Sequence, residues 1–586
     1  MTDFVDFEHT TSNLTDENNP FSKRVVAEVI DSNAGIYSTS LKFNCASLYN
    51  TSSFNDFRNT ILDIPLIAVV SQAVDGATAA HKMADNPLTF AMKNGYYNLI
   101  DSVKVVYDNV TIQEHVERST FYTSFKMHSQ MTVNDEEAIG STIGYAKDTA
   151  TSWSYNKGGY STDGDKTEKW NNPDGNGMCN NVPRVDNIYN EDRVNKGMRK
   201  RQSYVTDPNK SIDLISPQNG FITNSTTYSK MVPGTSSKYS YQVYYFNALI
   251  RLADVSDVMS KFPIIKGGLL QLEFNLNIGS LFGEALALPT GPGVYPAATF
   301  DNATLKKVSV QQQNTNFGST NVCPFMIAAS NSNCFAPGDA QTHFTAGIYI
   351  GKVTSSIGNA TTTNHSALGV EPHTRQYCRL LIPQYEMQAS IAGDYLDNFK
   401  LKSIDYETIQ YTRVESKASS STNIAISESC VNPVGLLVIP MLNQSSNDGL
   451  DVISSPFTTE PATSSPVCLT SFNVDLNGTP VYGNGNINYG YEHYLSEING
   501  IMSSSGNRGV GFGSGISLNE FNNNYKYYYV NLERRVVDDI QSKSIKLRCA
   551  NNSLVDLSLH TFLVLKKNVT IDIQTGKLLT VTNTAI

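Results

Sequence analysis

The chain has 586 residues and a mass of 64.3 kDa, beyond the ~250–300 residues at which a single core stops growing, so two or three cores are expected. Charged residues make up only 17% of it. Asn, Ser and Thr fill the polar share, and together with 31 Tyr and 25 Phe they favour strands and turns over helix interiors. A formal net charge of −10 argues against nucleic-acid binding as the main task, because a protein that neutralises phosphates carries a basic surface.

Residues 1–30 are polar and acidic (Asp3, Asp6, Glu8, Asp16, Glu17) and read as an N-terminal arm without its own core. The start lacks the basic residues and apolar run of a signal peptide. No apolar stretch reaches the ~20 residues of a membrane helix; Ile61 to Val74 is interrupted by Asp63 and Pro65. Synthesis inside a cell is therefore expected. Further on, period two dominates, as in a half-buried strand. Val103, Val105 and Tyr107 alternate into the turn Asp108-Asn109, and Tyr122 and Phe125 follow. Asp254 is placed to cap a helix carrying Val255, Val258, Met259 and Phe262, ended by Pro263 and Gly267-Gly268. Leu270, Leu272, Phe274 and Leu276 form the next alternating strand, and Ile404, Tyr406 and Thr408 another. Phe472, Val474 and Leu476 run into Asn477-Gly478; a second helix is expected over Glu533–Ile540, and Ile545, Leu547 and Cys549 alternate after it. Val569, Ile571 and Ile573, the turn Thr575-Gly576, then Leu578, Leu579 and Val581 predict a closing hairpin. Between these lie stretches poor in aliphatics and rich in Gly, Asn, Ser and Tyr, at 140–235, 283–320, 353–372, 443–466 and 483–523. Loops of this length point to elaborated surface, projecting from the scaffold or meeting neighbouring subunits.

Part of this order occurs twice. The strand ending at Tyr107 and its turn match the strand ending at Leu476 and its Asn-Gly turn. Tyr122 then matches Tyr491 and Phe125 matches Tyr494, both at an offset of 369 (491 − 122; 494 − 125). Ile61–Val70 (ILDIPLIAVV) resembles Gly435–Leu442 (GLLVIPML), and Leu252–Phe262 with strand 269–276 resembles Glu533–Ile540 with strand 544–549. Three matched elements in one order indicate a duplication.

These segments resemble the double jelly-roll major capsid proteins of icosahedral double-stranded DNA viruses, the polinton-like virus and virophage branch in particular. Four stretches carry the likeness: LIRLADVSDVMSKFPIIKGGLLQLEFNLN (249–277), RQYCRLLIPQYEMQASIAGDYL (375–396), FKLKSIDYETIQYTRV with NIAISESCVNPVGLLVIPML (399–414 and 423–442), and the C-terminal 529–578. The resemblance implies an all-β chain of two eight-stranded jelly-roll sandwiches side by side. The divisions would be an arm at 1–30, a first roll at 31–395 with insertions at about 140–235 and 283–372, and a second roll at 396–586 with insertions at about 443–466 and 483–523. It further implies a homotrimeric, pseudo-hexagonal capsomer, contact with neighbouring trimers, penton and other minor capsid proteins, and residence in the virion after synthesis in the host cytoplasm or nucleus.

Chemistry-bearing motifs are few. GNRGVGFGSGIS (506–517) lacks the Lys-Ser/Thr ending of a phosphate loop, and neither a GxSxG elbow nor HExxH occurs. His115, His128 and His493 flank or fall within the aromatic repeat without the spacing of a metal or general-base site. The eight cysteines form no CxxC pair, and buried free thiols are expected at Cys430 and Cys549. No catalytic residue, cofactor or metal site is expected. Arg193, Lys196, Arg199, Lys200 and Arg201 form the one concentrated basic patch, a contact to packaged genome or an acidic neighbour, a nuclear-import signal, or a solvated loop balancing Glu191 and Asp192. Contact with DNA through it would be weak and salt-dependent. Two other readings stay open: a carbohydrate-binding or glycan-processing sandwich with paired carboxylates, and a viral spike or minor vertex protein.

Overall fold

A computed structural model describes residues 21–37, 39–49, 52–74, 88–148, 196–205, 226–231, 238–286, 307–309, 322–329, 342–353, 369–398, 400–442, 469–483, 486–487, 491–494, 518, 521, 527–533, 541–552 and 556–582. Within the first part these form β1 (Phe21–Ile30), β2 (Ser40–Asn44), β3 (Phe54–Asp56), β4 (Ile61–Val74), β5 (Leu88–Met92), β6 (Ile100–Tyr107), β7 (Val110–Gln113), β8 (Thr226–Met231), β9 (Lys238–Arg251), β10 (Ile264–Lys266), β11 (Leu270–Leu276), β12 (Gly279–Leu286), β13 (Lys307–Ser309), β14 (Phe325–Ala329), β15 (Thr342–Ile350) and β16 (Arg379–Met387). The second part holds β17 (Leu401–Ser416), β18 (Ser420–Cys430), β19 (Pro433–Leu442), β20 (Thr470–Leu476), β21 (Thr479–Pro480), β22 (Tyr528–Asn531), β23 (Lys543–Asn551), β24 (Leu557–Asp572) and β25 (Leu578–Thr582).

In the first part β1 pairs β16, β16 pairs β4 and β4 pairs β9, while β2, β11, β6 and β7 form the facing sheet in that order. Lettering the eight strands B to I in chain order turns these sheets into B-I-D-G and C-H-E-F, the double Greek key of a jelly roll. The second part repeats it: β17-β24-β19-β22 is again B-I-D-G, and β18-β23-β20-β21 is again C-H-E-F. The chain is a double jelly roll. The matched segments of the repeat fall on equivalent elements. Ile61–Val70 and Gly435–Leu442 lie in the two D strands, and the two alternating stretches at 103–107 and 472–476 are the two E strands. The E–F turns have the same backbone, with φ of 49° and 64° at Asp108 and Asn109 and of 51° and 78° at Asn477 and Gly478. Positive φ at both central positions matches the right-handed twist of the flanking strands.

Strand chemistry explains the packing. β11 alternates buried and half-buried residues along its whole length, the signature of one face on a core. In β4 the edge that pairs β16 at Ile61–Asp63 passes to β15 at Leu66–Val74. Pro65 sits at that changeover, where its missing N–H costs no ladder bond, and its carbonyl accepts from Gly351 N at 3.0 Å.

Four expectations are corrected. The N-terminal arm does not extend to residue 30, because Phe21–Ile30 is strand B of the first roll; as an edge strand it buries only Val29, so its sequence shows little alternation. The 283–372 insertion is not all loop, since it holds β13, β14, β15 and part of β12, and β15 extends the B-I-D-G sheet. The 140–235 insertion likewise includes the helix Lys196–Gln202 and β8. The helix expected from Asp254 is two short turns, Leu252–Val255 and Asp257–Ser260, because Ser256 is extended and its hydroxyl donates to Gln113 Oε1 at 2.5 Å. The helix expected over Glu533–Ile540 and the Gly-rich run 506–517 fall largely or wholly outside the described residues. The closing hairpin forms as expected, β24 pairing β25, and Cys430 and Cys549 are buried free thiols.

Candidate functional site

The two rolls exchange core residues. The core of the first roll takes in Ile404, Tyr406, Val569, Ile571 and Ile573 of the second. The core of the second takes in Phe121, Phe125 and Val322 of the first. The seam between them is the most elaborated site among the described residues.

It is built on the helix Ser119–Gln130, which follows strand F of the first roll. Three successive residues tie its start to strand E. Arg118 N donates to Asp101 Oδ1 at 3.2 Å, Ser119 Oγ to the Asp101 carbonyl at 2.6 Å, and Thr120 Oγ1 to the Ile100 carbonyl at 2.7 Å. So anchored, the helix aims its aromatic side chains across the seam. Phe121, fully buried, meets His560 edge-on at 5.4 Å and Phe562 at 6.1 Å between ring centres. Phe125 stacks on Tyr529 at 5.0 Å. Such pairs add about 0.5–1.5 kcal/mol each beyond the area they bury.

Polar contacts fix the register. Tyr122 OH donates to Glu407 Oε2 at 3.1 Å, and Glu407 N donates to Asp257 Oδ2 at 2.8 Å. Lys261 reaches that same oxygen at 2.7 Å and Lys126 lies 3.6 Å from Oδ1. Burial works against a charged Asp257, but the two ammonium groups and the Glu407 N–H hold its pKa below the usual carboxylate range. Asp254 goes the other way, raised by burial despite its pairing with Arg251. Tyr122 is pushed well above the phenol range by burial and the Glu407 charge. Tyr122, Lys126, Asp254, Asp257, Glu407 and Lys567 line a cavity of about 210 Å³ at this point.

Deeper in, Arg118 Nη1 lies 3.3 Å from His560 Nδ1, and Tyr411 OH lies 2.8 Å from the same nitrogen. Burial, then the Arg118 and Arg413 charges, drive the His560 pKa well below its ordinary value, so the ring is neutral. At the far end the hairpin turn of the second roll docks on the first. Tyr107 OH donates to the Gly576 carbonyl at 2.6 Å, Leu578 N to Asp108 Oδ2 at 3.2 Å, and Lys266 N to the Ile573 carbonyl at 3.2 Å. Gly576 has φ +65°, and a Cβ there would stand 2.4 Å from Gly268 N, so only glycine fits.

The basic run is divided by the structure. Lys196, Arg199, Lys200 and Arg201 lie on the helix Lys196–Gln202, and Arg193 lies outside the described residues. Lys200 is exposed, 3.5 Å from Glu136. Arg201 does not belong to a surface patch. It is 1% exposed, pairs with Asp148 at 2.8 Å, and donates to the carbonyls of Met92, at 2.8 Å, and Ala146. His128 and His493 are buried. His128 Nδ1 contacts the Ser124 carbonyl, and His493 Nε2 accepts from Tyr529 N at 3.2 Å. His115 contacts Ser102 Oγ at 3.0 Å. Among the described residues no group of three or more His, Cys, Asp or Glu is placed to hold a metal ion, and no helix is long and apolar enough to cross a membrane.

Sequence reading pointed to Tyr122 and Phe125 but missed Phe121, Arg118, Asp257, Glu407 and His560. Phe121 carried a signal: at the repeat offset its counterpart is Gly490, so the aromatic is particular to the first roll.

No protein-family model and no curated protein matches the chain. Among solved structures it is similar to a chain of the Sputnik virophage, at 9% identity and a TM-score of 0.49, over 98% of this chain and 92% of that one. It is similar to the mavirus major capsid protein at 8% identity and a TM-score of 0.44, over 98% and 95%. The Faustovirus major capsid protein is similar at 11% and 0.38, over 96% and 93%.

Proposed function

We propose that the chain is the major capsid protein of an icosahedral double-stranded DNA virus, and that three copies form a pseudo-hexagonal block that tiles the shell. The observation that carries this reading is the duplicated jelly roll joined by a reciprocal exchange of core residues. A hinge between two domains would be wet and polar; this seam is packed, so the rolls act as one rigid two-lobed tile. Two equivalent lobes per chain give a trimer six lobes, and closed cyclic assembly of identical chains is the usual route to such blocks. The role is one of building, without catalysis or cofactor.

In this reading the division between rolls falls in the helix Ala389–Asn398, which joins strand I of the first to strand B of the second. The trimers meet one another, penton and minor capsid proteins in the virion, after synthesis in a host cell. Residues Arg193, Lys196, Arg199 and Lys200 serve as a contact to the genome or to an acidic neighbour. Light scattering on the purified chain tests the core of the proposal: the expected mass is three times 64.3 kDa, with shells seen by electron microscopy on concentration. A strict monomer that binds a glycan tightly would overturn it.

A further inference from the structure

The two E–F turns are copies of one turn with different chemistry at their tips. Asn477 stands 369 residues after Asp108 (477 − 108), the offset of the aromatic repeat, and the two share their backbone, with φ of 51° and 49°. The next residue differs, Gly478 in the second roll and Asn109 in the first. The second roll therefore presents Asn-Gly, in which no side chain shields the amide nitrogen that follows the asparagine. Asn477 and Gly478 are both exposed, and a Cβ added to Gly478 would meet nothing within 4 Å. Asn477 Oδ1 accepts from Ser544 N at 2.8 Å, which draws electron density away from the side-chain carbonyl carbon. Asn477 Nδ2 and the Gly478 N–H have no hydrogen-bond partner among the described residues. A second Asn-Gly pair is held shut at both atoms. Asn94 is fully buried, its Oδ1 accepts from Ala146 N at 2.8 Å, and Gly95 N donates to the Gly144 carbonyl at 2.9 Å. The other Asn-Gly pairs of the sequence lie outside the described residues.

We propose that Asn477 is a site of spontaneous deamidation in the folded protein, and that Asn94 is protected from it. The Gly478 nitrogen attacks Asn477 Cγ and forms a new C–N bond. The Cγ–Nδ2 bond breaks, and ammonia leaves with the proton that the Gly478 nitrogen gives up. Water then opens the five-membered imide at one of its two carbonyls, leaving either aspartate or isoaspartate at residue 477. The reaction needs no other reactant. The duplication shows which product the fold accepts. Asp108 already occupies the equivalent position on the same backbone, so aspartate fits the turn and adds one negative charge there. Isoaspartate instead adds a methylene to the main chain. It cannot keep both bonds that tie residue 477 to Ser544, the one from Ser544 N to Oδ1 and the one from Asn477 N to the Ser544 carbonyl at 3.0 Å. The second roll thus carries a slow chemical change at its E–F turn, to which the first roll's Asp-Asn turn is closed.

The test follows the folded full-length chain by peptide mass spectrometry during storage in mildly alkaline buffer, beside the same chain in urea. The peptide holding Asn477 is expected to gain one mass unit and to split into two isomers, faster as pH rises and the Gly478 nitrogen loses its proton more readily. In the folded chain it should react at least about tenfold faster than the Asn94 peptide, whose reaction must wait for local opening. In urea the two should react alike. Gly478→Asn copies Asn109 of the first roll, accepts the same positive φ, and should slow the reaction at residue 477. Asn477→Asp should melt as the wild type does, and a lower melting temperature would overturn the claim that aspartate fits. The proposal itself is overturned if Asn477 keeps its mass in the folded chain while reacting in urea, or if Asn94 reacts as fast as Asn477 in the folded chain.

Discussion

The two rolls share a strand order and differ in what hangs between the strands. The first spreads its eight strands over Phe21–Met387, the second over Leu401–Asp572. Most of the excess lies in two connections of the first roll: F to G holds three helices and β8, and H to I holds β12 to β15. Among the described residues the second roll adds one strand to its eight, β25. Sheet order and core are what the duplication kept, because each strand must find the same two neighbours. Connections cross the surface and tolerate insertion. The asymmetry also reaches the seam, where the first roll sends a helix into the core of the second and receives a strand end and a turn in exchange.

The sharpest way to break that comparison is Phe121→Ala. This ring has glycine as its counterpart, yet it fills the core of the second roll. Its removal is expected to cost ~3–5 kcal/mol. Hydrogen exchange should locate the loss in β17 and β24 of the second roll, rather than in the first roll to which Phe121 belongs by sequence. Protection lost only in β6 would show that the rolls are energetically separate.

Asp257→Ala comes next. It leaves Lys126, Lys261 and the Glu407 N–H without their shared acceptor at a half-buried site, at a cost of about 2–3 kcal/mol. Urea melts would measure it, and a variant within 0.5 kcal/mol of wild type would mean that the seam rests on its aromatics alone.

Acid gives the mildest test. Burial, reinforced by Arg118 and Arg413, holds the pKa of His560 well below its ordinary value, and burial pushes that of His493 down to about 3. Both rings are neutral in the folded chain, so below pH 6.5 the unfolded chain binds more protons and stability falls as pH falls. The slope is at most about 1.4 kcal/mol per pH unit for each ring, continuing toward pH 3 for His493. Both histidines belong to the second roll, one at the seam and one in its own core. Urea melts at pH 7, 6 and 5 should therefore show His560→Gln and His493→Gln each reducing the slope. Unchanged slopes would show that neither ring stays neutral.

The architecture was legible wherever a strand has one wet face and one dry one. β11 and the E strands announced themselves by alternation, and the E–F turns by residues that accept positive φ. β1 did not, because an edge strand that buries only Val29 has no reason to alternate. Arg201 read as surface charge since its partner Asp148 stands 53 residues away. The seam was legible only on one side. Tyr122 and Phe125 stood out through their repeat, but Phe121 touches Phe562, and Arg118 touches His560 442 residues further along. Local pattern cannot hold a contact of that sequence separation. The turn from Leu252 to Ser260 misled for the same reason, since a single side-chain bond from Ser256 to Gln113 interrupts an otherwise helical pattern.

The docked hairpin turn sets an order on the birth of the protein. Ile571 and Ile573 complete the core of the first roll, and Gly576 seals its E–F turn, yet all three follow the whole of the first roll in the chain. Domains released early in synthesis normally finish folding before the chain ends. Here the first roll must wait for the last strands of the second. A chain that stops before Ile571 would leave the core of the first roll open and its E–F turn unsealed.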